Sequence, residues 1–294
     1  MKRARGSCIA FLAHRAKYAF WHIHHDARVP IFFNGPIIYF KKDVCLFLRF
    51  CFKTGDNMQR KQTPLHCQTC STRDQGVFCD LVESHLEGMD KAKTTNQYKP
   101  HQIIFYEGNG PYGLYCVSQG KVKIYRSDLE GHQQIVRLAG PGDILGYRAL
   151  LSGQPYEATA ETLESSTICF FDKATFFHIL ETHPITSLHV MKLLAKDLGT
   201  AEKQTLNITH RNLRERLAEL FLVFKNRYGK KVNGGILLDI NLTREEFAEL
   251  IGTTQESVIR TISDFREEGL IMVDGRSITI KDPRKLNQVA NLTE

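Results

Sequence analysis

No uninterrupted apolar run in the 294-residue chain approaches the roughly 18 residues that a helical membrane span requires. A spanning helix is therefore excluded. The glycine repeat, proline excess and serine–threonine bias of fibrous or low-complexity chains are also missing, and 42 % apolar residues suffice for two packed domains. Neither a phosphate loop of the G-x-x-x-x-G-K type nor a nucleophile motif occurs, so nothing points to catalysis. Excess charge is missing over most of the chain. The net +7 resides in residues 1–57, which hold 10 Lys/Arg against 3 Asp/Glu, while the remainder holds 29 of each. Affinity for a polyanion must then come from local placement, as at Arg244, Arg260, Arg266, Arg276 and Lys281. Eight cysteines are present. In a chain read as cytoplasmic they are reduced thiols serving as packing residues, ligands or redox sensors, not a disulfide framework.

Residues 1–57 carry His22, His24, His25 and aromatic clusters such as Ile31-Phe32-Phe33, with no helical or strand period. The basic start lacks the compact apolar segment of a secretory signal. A zinc site from these histidines with Cys45 and Cys51 is an alternative that lacks metal-type spacing. The expectation is a misassigned start or a poorly ordered extension, with Met58 as the alternative first residue.

The most informative stretch runs from Leu242 to Ile280. Thr243 and Glu246 form a reciprocal capping box for a short helix whose apolar face is Phe247, Leu250 and Ile251. Gly252 closes it, and Thr253 and Thr254 offer a cap for a second helix with Val258, Ile262 and Phe265 inward. Two short helices around a tight glycine turn form a helix-turn-helix, whose second helix enters the major groove. After Gly269, Leu270–Val273 and Ser277–Ile280 are expected to pair around an Asp274-Gly275 turn as a wing. An ordinary helical hairpin with a solvated face is the competing reading. Caps, turn glycine and wing together favour DNA binding.

Thr254-Gln255-Glu256-Ser257-Val258-Ile259-Arg260 resembles the recognition helix of the Crp/Fnr superfamily of bacterial transcription regulators. That resemblance implies that a Glu and an Arg four residues later read the half-site, here Glu256 and Arg260. The chemistry agrees: Arg can bind guanine O6/N7 and Glu can accept from cytosine N4, and four-residue spacing puts both on one helix face. Gln255, Ser257 and Ile259 complete the expected readout surface, with Arg244 and Arg276 beside it. Ile259 stands where some members carry a small polar residue and would suit a thymine methyl.

Upstream, His66-Cys67-Gln68-Thr69-Cys70 and Cys79 give the spacing C-x2-C-x8-C. Thiolates two residues apart can share one metal or adjacent irons. The oxygen-sensing Fnr branch adds one cysteine from a late strand of the sensor domain, which here falls on Cys169 in Ser166-Thr167-Ile168-Cys169-Phe170-Phe171. The resemblance thus implies a [4Fe–4S] cluster on Cys67, Cys70, Cys79 and Cys169. The branch pattern has a shorter gap before its third cysteine, and redox-active or inert thiols and zinc remain open. Cys116, in Gly113-Leu114-Tyr115-Cys116-Val117, is a weaker candidate for the fourth ligand and reads rather as a buried strand residue.

From Tyr98 to Asp172, short runs rich in Ile, Val, Tyr and Phe alternate with glycine and proline turns, as in a small double-sheet roll. The strands are expected at 102–107, 113–119, 121–126, 133–139, 158–162 and 166–172. Gly140-Pro141-Gly142-Asp143-Ile144-Leu145-Gly146 resembles the cyclic-nucleotide-binding jelly roll of the same superfamily. Its nucleotide-binding members place a Glu where Tyr147 stands and supply a phosphate-binding Arg, whereas Tyr156-Glu157-Ala158-Thr159 has none. Glu157 would repel a phosphate, and no cyclic nucleotide is expected.

A short helix over 173–181 precedes a long one opened by Pro184. Leu188, Met191, Ala195 and Leu198 form a coiled-coil-like seam that fades at Glu202, with Leu193 and Leu194 toward the roll. A core helix of a monomer is the alternative. The resemblance implies a homodimer, in which Asp197 and Glu202 would repel their mates and weaken the interface. Residues 211–228 form another amphipathic helix, 229–235 a loop and 236–240 a strand, and the tail beyond Asp282-Pro283 a peripheral turn.

The fold expected is α+β: an N-terminal cyclic-nucleotide-binding-like β-roll (a double-stranded jelly roll), a long dimerisation helix and a C-terminal winged helix-turn-helix. The domains are 1–57 extension, 58–97 cysteine segment, 98–183 roll, 184–209 dimerisation helix and 210–294 DNA-binding domain. The function expected is a cytoplasmic regulator that binds a partly palindromic double-stranded operator, engages RNA polymerase and answers a redox or oxygen-type signal. A small effector in the roll, with no cluster, is the alternative. A regulatory module of an enzyme or signalling assembly is the rival from another class.

Overall fold

The computed structural model describes residues 30–31, 38–39 and 66–291, with the side chains of residues 30, 31, 38, 39, 208 and 209 excepted. Within Met1–Thr63, a compact unit by itself, the described part is one antiparallel pair, β1 (Pro30–Ile31) with β2 (Ile38–Tyr39). The expectations of a misassigned or poorly ordered start and of a histidine–cysteine zinc site lie otherwise outside the described residues.

The second unit, Pro64–Glu294, opens with the cysteine segment. Helix α1 (Glu83–Ala92) buries Leu86 and Met89, one turn apart on one face. Two four-stranded antiparallel sheets follow. One is ordered β3 (Thr94–Tyr98), β10 (Ser166–Asp172), β5 (Gly113–Gln119), β8 (Ile144–Leu145). The other is ordered β4 (Ile103–Phe105), β9 (Thr159–Thr162), β6 (Val122–Ser127), β7 (Gln133–Ala139). Val117, Val122, Ala139, Leu145, Ala160 and Ile168 fill the space between them. The strands expected at 102–107, 121–126 and 158–162 differ only at their ends. β3 carries no apolar alternation because four of its five residues are exposed, and it is a strand by its pairing with β10. The short helix α2 (Tyr147–Ser152) lies between two glycines in left-handed backbone, Gly146 and Gly153.

Asp172 caps helix α3 (Lys173–Thr182), accepting from the Thr175 amide, and Pro184 begins the 27-residue helix α4 (Pro184–His210). Helix α4 turns Thr186 and Val190 inward and packs Leu193 and Leu194 against the roll. Asp197 also faces the roll, accepting from Arg137 Nη1 at 3.3 Å and from the Tyr147 hydroxyl. This corrects the expectation that Asp197 repels a mate across the seam: it is consumed by an internal cation.

Helix α5 (Leu213–Tyr228) starts at a reciprocal Asn212–Glu215 capping box and buries Leu217, Phe221 and Phe224. The segment expected to be a loop forms β11 (Gly229–Val232), antiparallel to β12 (Gly235–Leu238). Its Gly229-Lys230-Lys231-Val232 sequence is exposed throughout, so burial leaves no periodic signal there. Helix α6 (Arg244–Ile251) has the Thr243–Glu246 box, ends at Gly252 with φ +73°, and leads into α7 (Gln255–Glu267), capped by Thr254. The wing is β13 (Ile271–Asp274) with β14 (Ser277–Ile280). Asp274 pairs with Ser277, so the loop is Gly275-Arg276 and not Asp274-Gly275. Only Gly275 has positive φ there, as a type II′ turn requires.

The tail is also corrected. Asp282 caps helix α8 (Pro283–Val289), and its Leu286 and the following Ala290 are fully buried in the core of the C-terminal half. Periodicity was hidden because a seven-residue helix shows a single buried position. Leu286→Ala should lower the unfolding free energy by about 2–5 kcal/mol, since it opens a cavity in a packed core. Urea unfolding measures this; a change within about 0.5 kcal/mol, typical of exposed sites, would restore the peripheral reading.

Candidate nucleic-acid interface and thiol pocket

Helix α7 separates its faces sharply. Val258, Thr261, Ile262 and Phe265 are buried, while Gln255, Glu256, Ile259 and Arg260 are exposed. Among the described residues Gln255, Glu256, Arg260 and the wing-tip Arg276 make no side-chain hydrogen bond or ion pair within the chain. Ile259 is 47 % exposed without an apolar neighbour surface to cover it. Ser257 is half-buried and belongs to the cap: its amide and hydroxyl both bond the Thr254 hydroxyl. Arg244 is likewise engaged. Its Nη2 donates to the Gly275 carbonyl at 3.2 Å, its guanidinium lies over the Phe247 ring, and burial draws its pKa down. It fastens the wing tip to α6.

The helix-turn-helix rests on the roll through a charge cluster that the sequence analysis missed. Lys123, the second residue of β6, is 6 % exposed. Its ammonium lies 3.9 Å from Glu161 of the roll, and 3.6 and 3.9 Å from Glu246 and Glu249 of α6. Burial pushes the Glu249 carboxyl up, with Lys123 opposing that shift. Beside it, the Gln134 side chain donates to the Glu249 carbonyl, and Arg216 donates to the Ile251 carbonyl at 2.9 Å. Tyr125, Ile135 and Leu138 of the roll join the same core as Phe221, Phe247 and Phe265. The signal in the sequence was a lone lysine between Val122 and Ile124, which alternation turns out of the roll's core.

In the segment that resembles the nucleotide cassette, the polar side chains pair with one another. Tyr147 is buried, its hydroxyl pushed up to about 12 chiefly by that burial, and it accepts from Arg137 Nη1 at 2.8 Å. Arg137 is matched by Asp197 and by Asp143 at 3.9 Å. Arg148 pairs with Glu157 at 3.0 Å on the surface. Each nearby cation thus already faces a carboxylate.

On the outward face of α4, Leu188, Met191 and Leu198 are 46–61 % exposed, with Ala195 and Glu202 also exposed between and beyond them. Ile185 and Leu206 extend this uncovered apolar stripe at both ends.

The thiols divide unexpectedly. Cys67, Cys70, Cys116 and Cys169 line one cavity of about 70 Å³, with Phe78, Leu86, Met89 and Phe171 among its walls. Cys169 and Cys116 are direct partners on β10 and β5. The Cys67 amide donates to Asp90 at 2.7 Å, and Lys93 Nζ donates to the Cys67 sulfur at 3.3 Å. Burial pushes Cys67 up to about 12, opposed by Lys93, and raises Cys116 and Cys169 as well. Cys79 does not line this cavity. Its Sγ lies 3.8 Å from His189 Nδ1 on α4, and His189 Nε2 lies 3.2 Å from Asp80. In the eight-residue gap the 3-10 turn Arg73–Gln75 stays beside the cavity, Arg73 ties to the Leu81 carbonyl at 2.8 Å, and Phe78 rather than Cys79 lines the cavity wall. The structure therefore brings together three of the four cysteines expected as ligands, places Cys79 elsewhere, and adds Cys116.

Four thiols around one apolar cavity fit the donor set of an iron–sulfur cluster. No three of them lie within 4.8 Å of one another. A single tetrahedral zinc would hold its sulfurs within about 4 Å of each other, so this spacing favours several metal atoms over one.

Comparison with known proteins places these parts. The family model described as cyclic nucleotide-binding domain matches residues 95–183, and the Crp-like helix-turn-helix domain matches residues 215–289. The chain is 25 % identical over 243 residues to the anaerobic regulatory protein of Pasteurella multocida, covering 82 % of this chain and 89 % of that one. It is 25 % identical over 211 residues to the CRP-like cAMP-activated global transcriptional regulator of Mycobacterium tuberculosis, covering 72 % and 94 %. Among solved structures, FixK2 from Bradyrhizobium japonicum has the same fold, with a TM-score of 0.62 at 22 % identity over 69 % of this chain and 99 % of that one. No helix among the described residues is long and apolar enough to cross a membrane.

Removing the buried ammonium should expose its role. Lys123→Ala leaves Glu161, Glu246 and Glu249 facing one another and should cost about 3–5 kcal/mol at neutral pH. Glu249, with its folded pKa raised, favours the fold below its unfolded pKa and loses that contribution as pH rises through the folded value. Without Lys123 the loss grows, so the deficit against wild type should shrink as pH falls through the carboxylate range. Urea unfolding at a series of pH values measures it, and a deficit that is constant with pH would contradict the cluster's role.

Proposed function

Since the chain belongs to the Crp/Fnr family and is a DNA-binding transcription regulator rather than an enzyme, we propose that it binds a partly palindromic operator as a homodimer, reading each half-site with Glu256 and Arg260. The observation that carries this is the pairing of an exposed Glu and Arg, four residues apart and free of internal partners, on a helix capped and backed by a packed core. Gln255 and Ile259 flank them as modifiers, and Arg276 at the wing tip is placed for phosphate. Ser257 and Arg244 have internal partners besides their expected place at the readout surface. They hold the cap and the wing and so shape the surface that meets DNA.

The uncovered stripe Leu188, Met191, Ala195 and Leu198 supports a second copy of the chain as the partner of α4. A two-fold dimer matches an operator with two half-sites. In this division residues 58–183 sense, 184–209 couple the subunits and 210–294 bind DNA, with RNA polymerase as the downstream partner in the cytoplasm. The roll does not take a cyclic nucleotide in this reading, because Tyr147 pairs with Arg137, which is committed to Asp197 and Asp143.

The signal enters at the thiol pocket, which takes an iron–sulfur cluster, most simply [4Fe–4S]. When bound, such a cluster supplies reactivity toward oxygen. The chain's own residues prepare for it. Burial favours the protonated thiols of Cys67, Cys116 and Cys169, so loading a metal on them releases protons. Lys93 sets a positive charge against the Cys67 sulfur, and the apolar wall limits water. The pocket supports this over an effector in the roll, and the anaerobic regulatory protein among the relatives points the same way.

Arg260→Ala should cost about 1–3 kcal/mol at the operator position bearing the matching guanine. Competition binding with single-base operator variants measures this, and an equal loss on every sequence would refute base readout. Anaerobically purified protein should be brown, with broad absorbance that air bleaches, and should contain iron and sulfide. A colourless, iron-free protein that still binds the operator would end the cluster reading and leave the regulator standing.

A further inference from the structure

We propose that Cys116 replaces Cys79 as the fourth thiolate: the cluster of this chain is held by Cys67, Cys70, Cys116 and Cys169, with Cys79 outside the ligand set. The assignment rests on the cluster reading above and concerns which sulfurs hold the irons.

Strand geometry is the first support. Cys116 and Cys169 are opposed residues on β5 and β10. Opposed residues of an antiparallel pair project to the same sheet face, with Cβ atoms about 4.5–5.5 Å apart. Both strands are interior to their sheet, flanked by β3 and β8. Two ligands on paired strands form a rigid half of the site, as a preorganised metal site needs.

The other half is the Cys67–Cys70 turn, which lines the same cavity. The Cys70 amide donates to the Cys67 carbonyl at 3.4 Å, closing the turn, while Asp90 of α1 holds the Cys67 amide. The segment after it is pressed against the roll. A Cβ at Gly76 would stand 3.1 Å from the Gly142 carbonyl. That close approach holds the chain between Cys70 and Cys79 against the roll, and beyond it Phe78 turns its ring to the cavity wall beside Phe171 while the Val77 carbonyl and the Cys79 sulfur meet His189 of α4. Cys79 ends beside His189, which also meets Asp80 and the Val77 carbonyl. To join the cavity, Cys79 would have to leave His189 and take the place of Phe78, whose ring fills that part of the wall. Cys116 is already at the cavity wall.

The test uses the full chain carrying Cys8→Ser, Cys45→Ser and Cys51→Ser, so that no cysteine from the first 57 residues can contribute. In that background Cys79→Ser and Cys116→Ser are compared after anaerobic reconstitution with ferrous iron, sulfide and a thiol reductant. Iron and sulfide per chain and visible absorbance are read, with circular dichroism and thermal unfolding of the metal-free proteins as a folding check. Cys79→Ser should keep the full iron and sulfide content of its parent, and Cys116→Ser should lose the cluster. Loss of the cluster in Cys79→Ser, or its retention in Cys116→Ser, overturns the assignment while the cluster reading survives. If Cys116→Ser does not fold, Cys79→Ser decides alone, because only Cys116 then remains to supply a fourth thiolate. A parent protein that takes up no iron or sulfide overturns the cluster reading and the assignment with it.

Discussion

Lys123 is a cation placed where only carboxylates can make it tolerable. An isolated ammonium taken from water into a protein interior would cost several kcal/mol. Here Glu161 from its own sheet and Glu246 and Glu249 from the first helix of the helix-turn-helix share that charge. Because the compensating charges lie on both sides, the roll and the DNA-binding half each complete the other's electrostatics. Glu246 is bound twice over, since its second oxygen also accepts from the Thr243 amide at 2.8 Å. The cap of one helix and the seating of the whole domain thus depend on one side chain. The recognition helix, packed on the far side of the same core, inherits its position from that seat.

How much of this was legible follows from what leaves a trace in sequence. Caps are local, so the Thr243–Glu246 box and the Gly252 turn could be read directly and bring the two helices with them. Long amphipathic helices and the apolar strands of the roll were readable for the same reason. β3 and β11 were not, because their residues are exposed and their strand character comes wholly from a partner. The Lys123 cluster joins residues more than 120 positions apart, and no spacing rule reaches that far. The seam on α4 was visible as a pattern, whereas Asp197 was assigned to it when its charge is in fact taken up by Arg137.

The cysteines show the same division at the site itself. C-x2-C is a local statement, and Cys67 and Cys70 are neighbours in space as they are in sequence. Cys169 was reached through family likeness. Cys116 was the weaker candidate in sequence, read rather as a strand residue, and it is strand register that sets it opposite Cys169. An insertion before Cys79 is easy to count but its direction is not, and only the packing of Gly76 on Gly142 shows where the chain goes.

Helix α4 meets four surroundings along its length. Its N-terminal third carries His189, against Cys79 and Asp80; its middle carries Asp197, against Arg137 and Tyr147 of the roll; its C-terminal end is tied to Glu219 of α5 through Lys203 and Asn207; and its outward stripe is uncovered. From His189 to Lys203 the helix rises about 21 Å, at 1.5 Å per residue. A rod gripped at three heights cannot roll about its own axis at one of them alone. A shift of the cysteine segment at its top must therefore either break a grip lower down or be transmitted as torsion to the far end. The side of the rod left ungripped would turn with it. The helix is built as a torque shaft, and the angle at which it offers its stripe is set jointly by the grips on His189, Asp197 and Lys203.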